Sequence, residues 1–466
     1  MPRSAICWSF AQWISRAYQY PLRTNPCKRC RNKLLSYNIA FRNCARRTKI
    51  SATFAFHDWR FSISEVNDGF NDLKNCALGL DGVSKTIIDP ILIVIAPTVA
   101  SFFTALLRYS VSPSDWQIAV LCLIKKKGTD RKDLNNFRAV HLLSFFYKWF
   151  TSCIRRRILP FVSDRLPPQQ RGFIAEGSCA QALLALLTVI QRETRGGGLV
   201  FTCFVDIRKA FPSVRRELLF YQMHKIGIPN IYIRCLMALY TNVQGSARAP
   251  AGFSPTFPIL QGTREGCILS PLLFLIFFSD AMAALERVHL DEGTVRLGAI
   301  SLLAVFFADD VVLLARSLSD LQKLVDAFSS FCSYIHEKIA FNKTETVLFF
   351  GKDSLRNFFL RSGVLYERLS ERAISSQLLF LESIPVKWST FFKYLGSMIS
   401  GFEGLEFLED SVVAGARKVS GALGSACRSA VALPLSRLVD LHHSLVAPIA
   451  FLSCIAGFPF IAKGGP

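Results

Sequence analysis

The chain has 466 residues, of which 55 are Lys or Arg and 34 are Asp or Glu, so its formal net charge is +21. This length can bury a large core and divides into two to four subdomains, and the basic excess fits a polyanionic partner, although basic proteins also bind membranes. The 14 cysteines are scattered, several of them in apolar runs. That usage excludes a disulfide framework and indicates a reduced, intracellular protein.

Residues 1–64 form a basic N-terminal segment that we leave unassigned. The first 50 residues contain no Asp or Glu and no continuous apolar stretch, which excludes a secretory signal. A nucleic-acid-binding arm and a mitochondrial presequence both remain open for it. A zinc site is a further alternative, since Cys27 and Cys30 are followed by Cys44 and His57, at a loose spacing.

Two uncharged stretches, residues 90–107 and 444–462, approach the length of a membrane-spanning helix. Each contains two prolines. We therefore expect helices packed in the protein, and no membrane partner.

The apolar run at residues 199–205 (LVFTCFV) predicts a buried strand. It ends at Asp206, and a helix is expected to begin near Pro212 with Ser213 as its N-cap and to end at Gly227. This places the Asp206 carboxylate at the end of a strand, where functional residues of mixed sheets often lie.

The sequence FFADDVVLLA contains two apolar arms, residues 304–307 and 311–315, joined by a polar corner. The pattern predicts a β-hairpin with Asp309 and Asp310 at its turn. A surface turn would explain such a pair as well, because Asp favours turns. If this hairpin lies beside the strand that ends at Asp206, three carboxylates converge, and such an oxygen cluster suits Mg²⁺.

In addition to these two segments, seven others occur in a fixed order between about residue 73 and residue 460. Together they resemble a reverse transcriptase, and most closely the polymerase of non-LTR (LINE-type) retrotransposons. The blocks that carry the resemblance are 78–84, 113–128, 135–150, 169–179, 204–211 (FVDIRKAF), 262–274 (GTREGCILSPLLF), 307–310 (FADD), 341–350 and 392–400.

The resemblance implies a catalytic centre built on Asp206 and Asp309, with Asp310 as a third acid. Two Mg²⁺ ions, or Mn²⁺ in their place, would be held by Asp206, Asp309 and the Ile207 carbonyl. The implied reaction is attack of a primer 3′-hydroxyl on the α-phosphate of a deoxynucleotide, and the enzyme acts mainly by positioning and charge neutralisation. Lys343 would be a proton donor to the pyrophosphate, although the family has two more residues between the Asn and the Lys of this block.

The resemblance also implies a nucleotide site. Phe211 matches a steric gate against the ribose 2′-hydroxyl, although a phenylalanine is also commonly buried in a core. Lys126 and Arg138 match residues that grip the triphosphate; for Lys126 a solvated basic loop is the alternative. Glu265, beside Gly266, stands where the family usually has Gln.

A carboxylate at position 265 would repel the triphosphate unless a cation such as Arg264 intervened.

For the primer and template, the resemblance assigns Tyr394, Leu395 and Gly396 to the primer-grip turn. Ser270 is expected to cap a helix with the sequence LLFLIFFSDAMAAL after Pro271. Residues 174–177 lack the basic side chains that the family usually has there, which should weaken backbone binding.

The expected fold is an α+β right-hand polymerase. Its fingers are expected at 65–198 and its palm, with an antiparallel sheet, at 199–404. A helical thumb, complete or truncated, is expected at 405–466. Expected partners are an RNA template, a DNA primer and deoxynucleoside triphosphates, in a nuclear rather than a mitochondrial setting. No endonuclease or RNase H motif is recognised, so a fragment, a truncated copy or a stand-alone polymerase is expected.

Two other functions stay open. One is a catalytically impaired retroelement remnant that only binds nucleic acid. The other is an organellar intron-encoded polymerase, which the acid-free N-terminus favours and the lack of an intron-binding domain opposes.

Overall fold

The structure, a computed structural model, describes residues 59–401 apart from several short gaps. The gaps are residues 76, 126–135, 175–176, 196, 250–251, 298–299 and 351–378. The four zinc-ligand candidates, Lys126 and the predicted thumb lie outside the described residues.

The described helices alternate with strands along the chain. They are α1 Ile63–Asn71, α2 Lys85–Ile88, α3 Leu92–Tyr109, α4 Ser114–Gln117, α5 Phe145–Ser163, α6 Cys179–Arg195, α7 Ala210–Ser213, α8 Arg216–Lys225, α9 Asn230–Leu239, α10 Ser270–Phe277, α11 Ala281–Leu285 and α12 Leu318–Tyr334, with 3-10 turns at Asp89–Ile91 and Phe341–Lys343.

The described strands form two sheets of five strands and three short hairpins. They are β1 Ile118–Lys125, β2 Phe137–Leu142, β3 Leu199–Asp206, β4 Gln244–Ala249, β5 Gly252–Phe253, β6 Phe257–Pro258, β7 Arg296–Leu297, β8 Ile300–Ser301, β9 Ala304–Phe307, β10 Asp310–Ala315, β11 Glu345–Phe350, β12 Phe380–Leu381, β13 Ile384–Pro385, β14 Lys387–Trp388, β15 Phe391–Tyr394 and β16 Ser397–Ser400.

The sheet that carries the acidic residues has the strand order β14-β11-β3-β10-β9. Its β11–β3, β3–β10 and β10–β9 pairs are antiparallel, and β14 joins β11 in parallel. The predicted hairpin is thus confirmed as β9–β10, and the strand that ends at Asp206 is its direct neighbour. This sheet is the antiparallel palm sheet that the sequence predicts.

Both faces of the palm sheet are covered, which explains why its strands are continuous apolar runs. Along β3, Val200 and Phe204 pack with α6, whereas Cys203 and Val205 face the core that includes α12. Successive side chains of a strand point to opposite faces. A strand between two helical layers therefore has apolar residues at every position.

The second sheet has the order β2-β1-β4-β5, with β6 paired to β4. Strands β1 and β2 come from the predicted fingers range, whereas β4 to β6 come from the range 199–404. The second sheet therefore draws strands from both sides of the predicted boundary at residue 198, and the subdomain limits stay a prediction.

Helix α5 lies at the centre of the larger core, which is rich in aromatic rings. The Trp149 ring meets Phe70 and Phe103 edge to face at 5.1 and 5.8 Å between ring centroids. Its indole N–H donates to the Val66 carbonyl at 2.7 Å. Edge-to-face rings add to the burial of large apolar area, so this cluster fixes α1, α3 and α5 together.

Among the described residues, Lys85–Tyr109 is the one helical segment long and apolar enough to cross a membrane. One side of it packs into the core through Val99, Phe103 and Leu107. The other side exposes Ile93 and Val94. A helix packed in a protein core can have the same length and apolar composition as a membrane-spanning helix.

Two predicted helix starts are wrong because the serines bond elsewhere. Helix α8 begins at Arg216 with Arg215 as its N-cap, and the Ser213 hydroxyl contacts the Lys209 carbonyl and the Glu337 carboxylate instead. The predicted end holds, since α8 stops at Lys225 and Gly227 follows with a φ of +83°.

Helix α10 has Leu269 as its N-cap, and Ser270 is its first residue, with a hydroxyl that donates to the Arg264 carbonyl at 2.8 Å. The expected helix LLFLIFFSDAMAAL is also broken into α10 and α11.

Candidate active site

Three acidic residues meet where β3 ends and β10 begins. In the antiparallel register Asp206 lies directly opposite Asp310, and Asp309 precedes it in the β9–β10 turn. Ala308, the other turn residue, has a φ of +59°, which gives the tight corner that the two apolar arms require. The sequence predicted that the three acids meet if the two strands are adjacent. The strands are adjacent, so this prediction is confirmed.

Lys343 lies across the end of β3 and pairs with Asp206. Its Nζ donates to Asp206 Oδ2 at 2.8 Å, and the Lys343 side chain is 62% exposed. The 3-10 turn Phe341–Lys343 holds it there, since the Ala340 N–H donates to the Asp206 carbonyl at 2.8 Å. The shortened Asn-to-Lys spacing still brings the ammonium to the acids.

The close approach of the acids raises the pKa values of two of them. Burial, together with the Asp206 carboxylate, raises the pKa of Asp309, although a backbone hydrogen bond, Arg138 and Lys343 act in the other direction. Asp310 is partly exposed. Partial burial of its carboxyl, together with the Asp309 and Asp206 carboxylates, raises its pKa to about 6. Like charges held this close disfavour ionisation unless a cation balances them.

The donor set fits a divalent cation that brings its own water and phosphate ligands. Within the described part of the chain, no three His, Cys, Asp or Glu side chains form a preformed metal cage, and Asp206 is turned to the Lys343 ammonium. Mg²⁺ is usually bound through only one or two carboxylates, with water and substrate phosphate as the remaining ligands. The Lys343 ammonium already pairs with Asp206. A positive charge is therefore stabilised at this position.

The Ile207 carbonyl has the right direction for the role expected of it. Ile207 bridges Ile339, and the flanking bonds run from Ala340 N–H to the Asp206 carbonyl and from Arg208 N–H to the Lys338 carbonyl. Since hydrogen-bonding groups alternate between the two edges of a strand, the Ile207 carbonyl points to the side of β10, where Asp309 and Asp310 lie.

Phe211 lies five residues beyond Asp206, half-buried between two rings. Its centroid is 5.2 Å from that of Phe274 and 6.0 Å from that of Phe173. The Phe211 carbonyl accepts from the Thr263 N–H at 2.9 Å. The ring therefore packs against α10 at the border of the larger core and stays half-buried; its role as a gate stays a prediction.

Arg138, not Arg264, is the cation near Glu265, and the expectation that Arg264 would intervene is wrong. Arg264 is 1% exposed, and its guanidinium donates to the Trp116 and Leu239 carbonyls at 2.6 and 3.1 Å. Burial raises the pKa of Glu265, which Arg138 lowers and Asp309 raises. The Arg138 charge therefore acts on two acids of the site, Glu265 and Asp309, and Arg264 holds α4 and α9 together.

Gly266 lets the 262–266 loop dock against β2. Its φ is +96°, and a Cβ there would lie 2.8 Å from the His141 carbonyl oxygen. The His141 N–H donates to the Glu265 carbonyl at 3.0 Å. Only glycine combines this φ with this approach, so Gly266 fixes Glu265 beside the strand that carries Arg138.

A family model described as reverse transcriptase (RNA-dependent DNA polymerase) matches residues 124–399, more than half of the chain. The chain belongs to the reverse transcriptase family. Its α+β fold, with the acids on an antiparallel palm sheet, is that of a right-hand polymerase, as the sequence predicts. Members of the family generally use divalent metal ions.

Individual relatives come from retrotransposable elements. The RNA-directed DNA polymerase from mobile element jockey of Drosophila melanogaster is 25% identical over 259 residues, which cover 54% of this chain and 27% of that protein. The Pol polyprotein of the type-2 retrotransposable element R2DM from the same species is 24% identical over 259 residues, 56% of this chain and 24% of that protein. The predicted resemblance to the LINE type is confirmed.

The chain spans about a quarter of the length of these curated relatives. Among solved structures, apo telomerase from Candida tropicalis is 12% identical with a TM-score of 0.41, over 63% of this chain and 55% of that chain.

The segment predicted to form the primer grip contains a two-residue hairpin turn. Leu395 and Gly396 have φ values of +47° and +89° between β15 and β16. Tyr394 itself is buried against Phe204, and its hydroxyl has no hydrogen-bond partner among the described atoms. Burial raises the pKa of Tyr394 well above its usual range, with Asp310 and Cys179 adding to the effect. The turn is confirmed, and its exposed part is Gly396.

Ser270, assigned to the primer and template, is not available to them. The side chain is buried and its hydroxyl bonds to the Arg264 carbonyl. Its position at the start of α10 gives it a role in holding the 262–266 loop.

Two residues of this site were missed by the sequence prediction. Gln170 accepts a hydrogen bond from the Ala308 N–H at 3.0 Å. Glu337 is buried near Asp309 and bonds to Ser213, and burial raises its pKa to about 7 although Ser213 lowers it. Glu337 stands between His336 and Lys338 in the sequence, a pattern that gave no sign of the contact, whereas Gln170 stood inside a recognised block, QQRGF.

Proposed function

We propose that this chain is an RNA-directed DNA polymerase that adds deoxynucleotides to a primer 3′-hydroxyl on an RNA template. The observation that carries this proposal is the register that sets Asp206 opposite Asp310, with Asp309 in the adjoining turn and Lys343 on Asp206. The acids come from segments about a hundred residues apart along the chain, and a fold gathers carboxylates in this way chiefly where a cation binds.

Asp206, Asp309 and the Ile207 carbonyl are the groups that would hold two Mg²⁺ ions, or Mn²⁺ in their place. When bound, the ions would activate the attacking hydroxyl and stabilise the leaving pyrophosphate. Asp310 supports the site electrostatically, because it lies opposite Asp206 and raises the charge density at the turn.

Lys343 would protonate the leaving pyrophosphate. Among the described residues its ammonium bonds to Asp206 alone, and its side chain is largely exposed, so it can move from the carboxylate to a phosphate oxygen. A group that donates a proton in the transition state speeds the step most when its position is set beforehand, and the hydrogen bond to Asp206 sets it.

Phe211 would select deoxyribose over ribose. The packing against Phe274 and Phe173 fixes the ring, so a 2′-hydroxyl has no room to displace it. Arg138 would hold the triphosphate through charge-assisted hydrogen bonds, and Gly266 would allow the nucleotide to approach the loop. Lys126 remains a proposed second contact.

The partners follow from the same assignment: an RNA template, a DNA primer and deoxynucleoside triphosphates. The net charge of +21 supports polyanion binding. The Leu395–Gly396 turn would meet the primer backbone, and the origin would be a retrotransposon acting in the nucleus.

The second candidate function is a catalytically impaired remnant that binds nucleic acid. Glu265 favours it, since a carboxylate that interacts with Asp309 adds negative charge where the triphosphate must bind. The buried Glu337 adds a further acid near Asp309.

Primer extension on an RNA template separates the two functions. The polymerase proposal expects extension that requires Mg²⁺ and is lost in Asp309→Ala, with duplex binding retained. Duplex binding by the wild-type chain with no extension in Mg²⁺ or Mn²⁺ would establish the remnant. The Asp326→Ala variant is the matched control, because Asp326 is an exposed carboxylate on α12 that bonds to Gln322.

A further inference from the structure

The 169–173 segment runs along the outer edge of β9, next to the catalytic turn. The Phe306 N–H donates to the Gln169 carbonyl at 3.0 Å, and the Arg171 N–H donates to the Phe306 carbonyl at 2.9 Å. Gln170 and Phe306 thereby form a parallel bridge. The segment thus adds a single β-bridge to the outer edge of the five-stranded palm sheet, on the strand that leads into Asp309.

The Gln170 side chain reaches from this segment into the turn. It is 4% exposed, and its Oε1 accepts from the Gly172 N–H at 2.8 Å and from the Ala308 N–H at 3.0 Å. Both partners are N–H donors, so the amide oxygen and not the nitrogen must face them. One side-chain atom therefore joins the two backbones.

The turn needs such a partner. Ala308 has a φ of +59°, a conformation that an L-residue adopts at a cost and keeps only where its surroundings hold it. Its N–H is buried, so without Gln170 Oε1 this donor would lose its partner. Gly172 permits the close approach, because a Cβ there would lie 2.4 Å from the Ala308 nitrogen.

The same segment also reaches the nucleotide gate. Phe173 has a φ of +60°, and its ring meets the Phe211 ring edge to face. The catalytic turn and the gate are thus contacted by nearby residues of one segment, Gln170 and Phe173.

We propose that Gln170 is a positioning residue of the catalytic centre: its amide oxygen holds the Ala308 turn so that Asp309 and Asp310 are presented together to divalent cations. The polymerase role of this arrangement rests on the proposed function. The presentation of the acids to a cation does not, because it can be measured without catalysis.

Gln169 offers a matched control in the adjacent position. It is 6% exposed, and its Nε2 donates to the Ser301 carbonyl at 2.9 Å, away from the catalytic turn. Replacement of either glutamine by leucine removes a buried amide and its hydrogen bonds, so any general loss of stability is shared by the two variants.

The experiment measures Mn²⁺ binding by electron paramagnetic resonance in the full chain, with Asp309→Ala defining the binding that belongs to this site. Gln170→Leu is expected to weaken that binding about 10- to 100-fold, the range seen when groups that orient metal ligands are removed. Gln169→Leu is expected to leave it within about twofold. Equal weakening in both variants, no weakening in Gln170→Leu, or no site-specific Mn²⁺ binding by the wild-type chain would overturn the proposal.

Amide hydrogen exchange of residues 307–310 gives a readout that involves neither cation nor catalysis. Gln170→Leu should accelerate it about tenfold or more, whereas Gln170→Glu keeps the acceptor oxygen and should preserve the protection. If Gln170→Leu does not fold, Gln170→Asn withdraws the oxygen by one methylene and is held to the same two expectations. Unchanged exchange in the folded variant, or equal loss in Gln170→Glu, contradicts the assignment. A wild-type chain that binds Mn²⁺ but fails to extend a primer would refute the proposed function and leave this positioning role intact.

Discussion

Glu337→Gln is expected to stabilise the chain above neutral pH and to have little effect under acidic conditions. The Glu337 carboxyl is buried, Oε2 accepts from the Ser213 hydroxyl at 2.7 Å, and Oε1 has no partner among the described atoms. Burial is the largest cause that raises its pKa from 4.5 to about 7; Ser213 lowers it and Asp309 raises it further. An uncharged amide of the same shape keeps the Ser213 contact and removes the buried charge.

The magnitude follows from proton linkage. Between pH 4.5 and 7 the folded chain keeps the Glu337 proton while the unfolded chain loses it, so the free energy of unfolding falls as pH rises. Each pH unit in this window amounts to about 1.4 kcal/mol, which gives a loss of about 3 kcal/mol by pH 8. The variant avoids this loss but buries one amide group without a partner, so a net gain of about 2 kcal/mol at pH 8 is expected.

The assay is urea denaturation of wild type and variant at pH 5, 6, 7 and 8, without divalent ions, followed by tryptophan fluorescence. The difference between the two chains isolates Glu337 from Asp309 and Asp310, whose pKa values are also raised. Glu382→Gln is the control. Glu382 is an exposed residue whose carboxylate accepts a hydrogen bond from the Ser329 hydroxyl. Its substitution should change the free energy of unfolding by less than about 0.5 kcal/mol. A gain for Glu337→Gln that does not grow between pH 5 and pH 8 would refute the reasoning.

Three further predictions concern the nucleotide site. Phe211→Val should raise ribonucleotide incorporation relative to deoxynucleotide incorporation by about tenfold or more, in single-nucleotide extension assays; an unchanged ratio would leave Phe211 as a core residue. Glu265→Gln should raise kcat/KM for deoxynucleotides by about three- to tenfold, because it removes negative charge beside Asp309; a decrease would mean that the Glu265 carboxylate helps to hold Arg138 in place. Lys343→Met should lower the single-turnover rate by about tenfold or more, with nucleotide affinity little changed; a loss of affinity alone would assign Lys343 to binding.

The strands that carry the acids were predictable from the sequence because they are buried on both sides. The runs at 199–205 and 311–315 contain almost only apolar residues, and a turn with two aspartates stands out between such arms. Their adjacency required the family resemblance, since nothing in either run identifies its partner strand.

The two helix starts were predicted wrongly, because both serine hydroxyls bond to groups other than the backbone N–H groups of the following helix. Ser213 is drawn to Glu337, 124 residues away along the chain. Ser270 bonds to the Arg264 carbonyl. A capping pattern read locally cannot include such competitors.

Contacts between distant segments also decide which arginine lies near Glu265. Arg264 stands next to Glu265 in the sequence but is taken up by the Trp116 and Leu239 carbonyls, and Arg138 comes to Glu265 from another strand. Gln170 escaped notice because its partner, Ala308, lies 138 residues further on.

The most direct test of a cation shared by β3 and the β9–β10 turn is cleavage by bound iron. Fe²⁺ replaces Mg²⁺ at oxygen sites, and ascorbate with peroxide then produces hydroxyl radicals that cut the backbone within a few ångströms of the ion. Mapped by mass spectrometry, cuts are expected both beside Asp206 and at residues 308–310, and an excess of Mg²⁺ should suppress the two together. Cuts at one of these segments without the other, or at neither, would contradict the account.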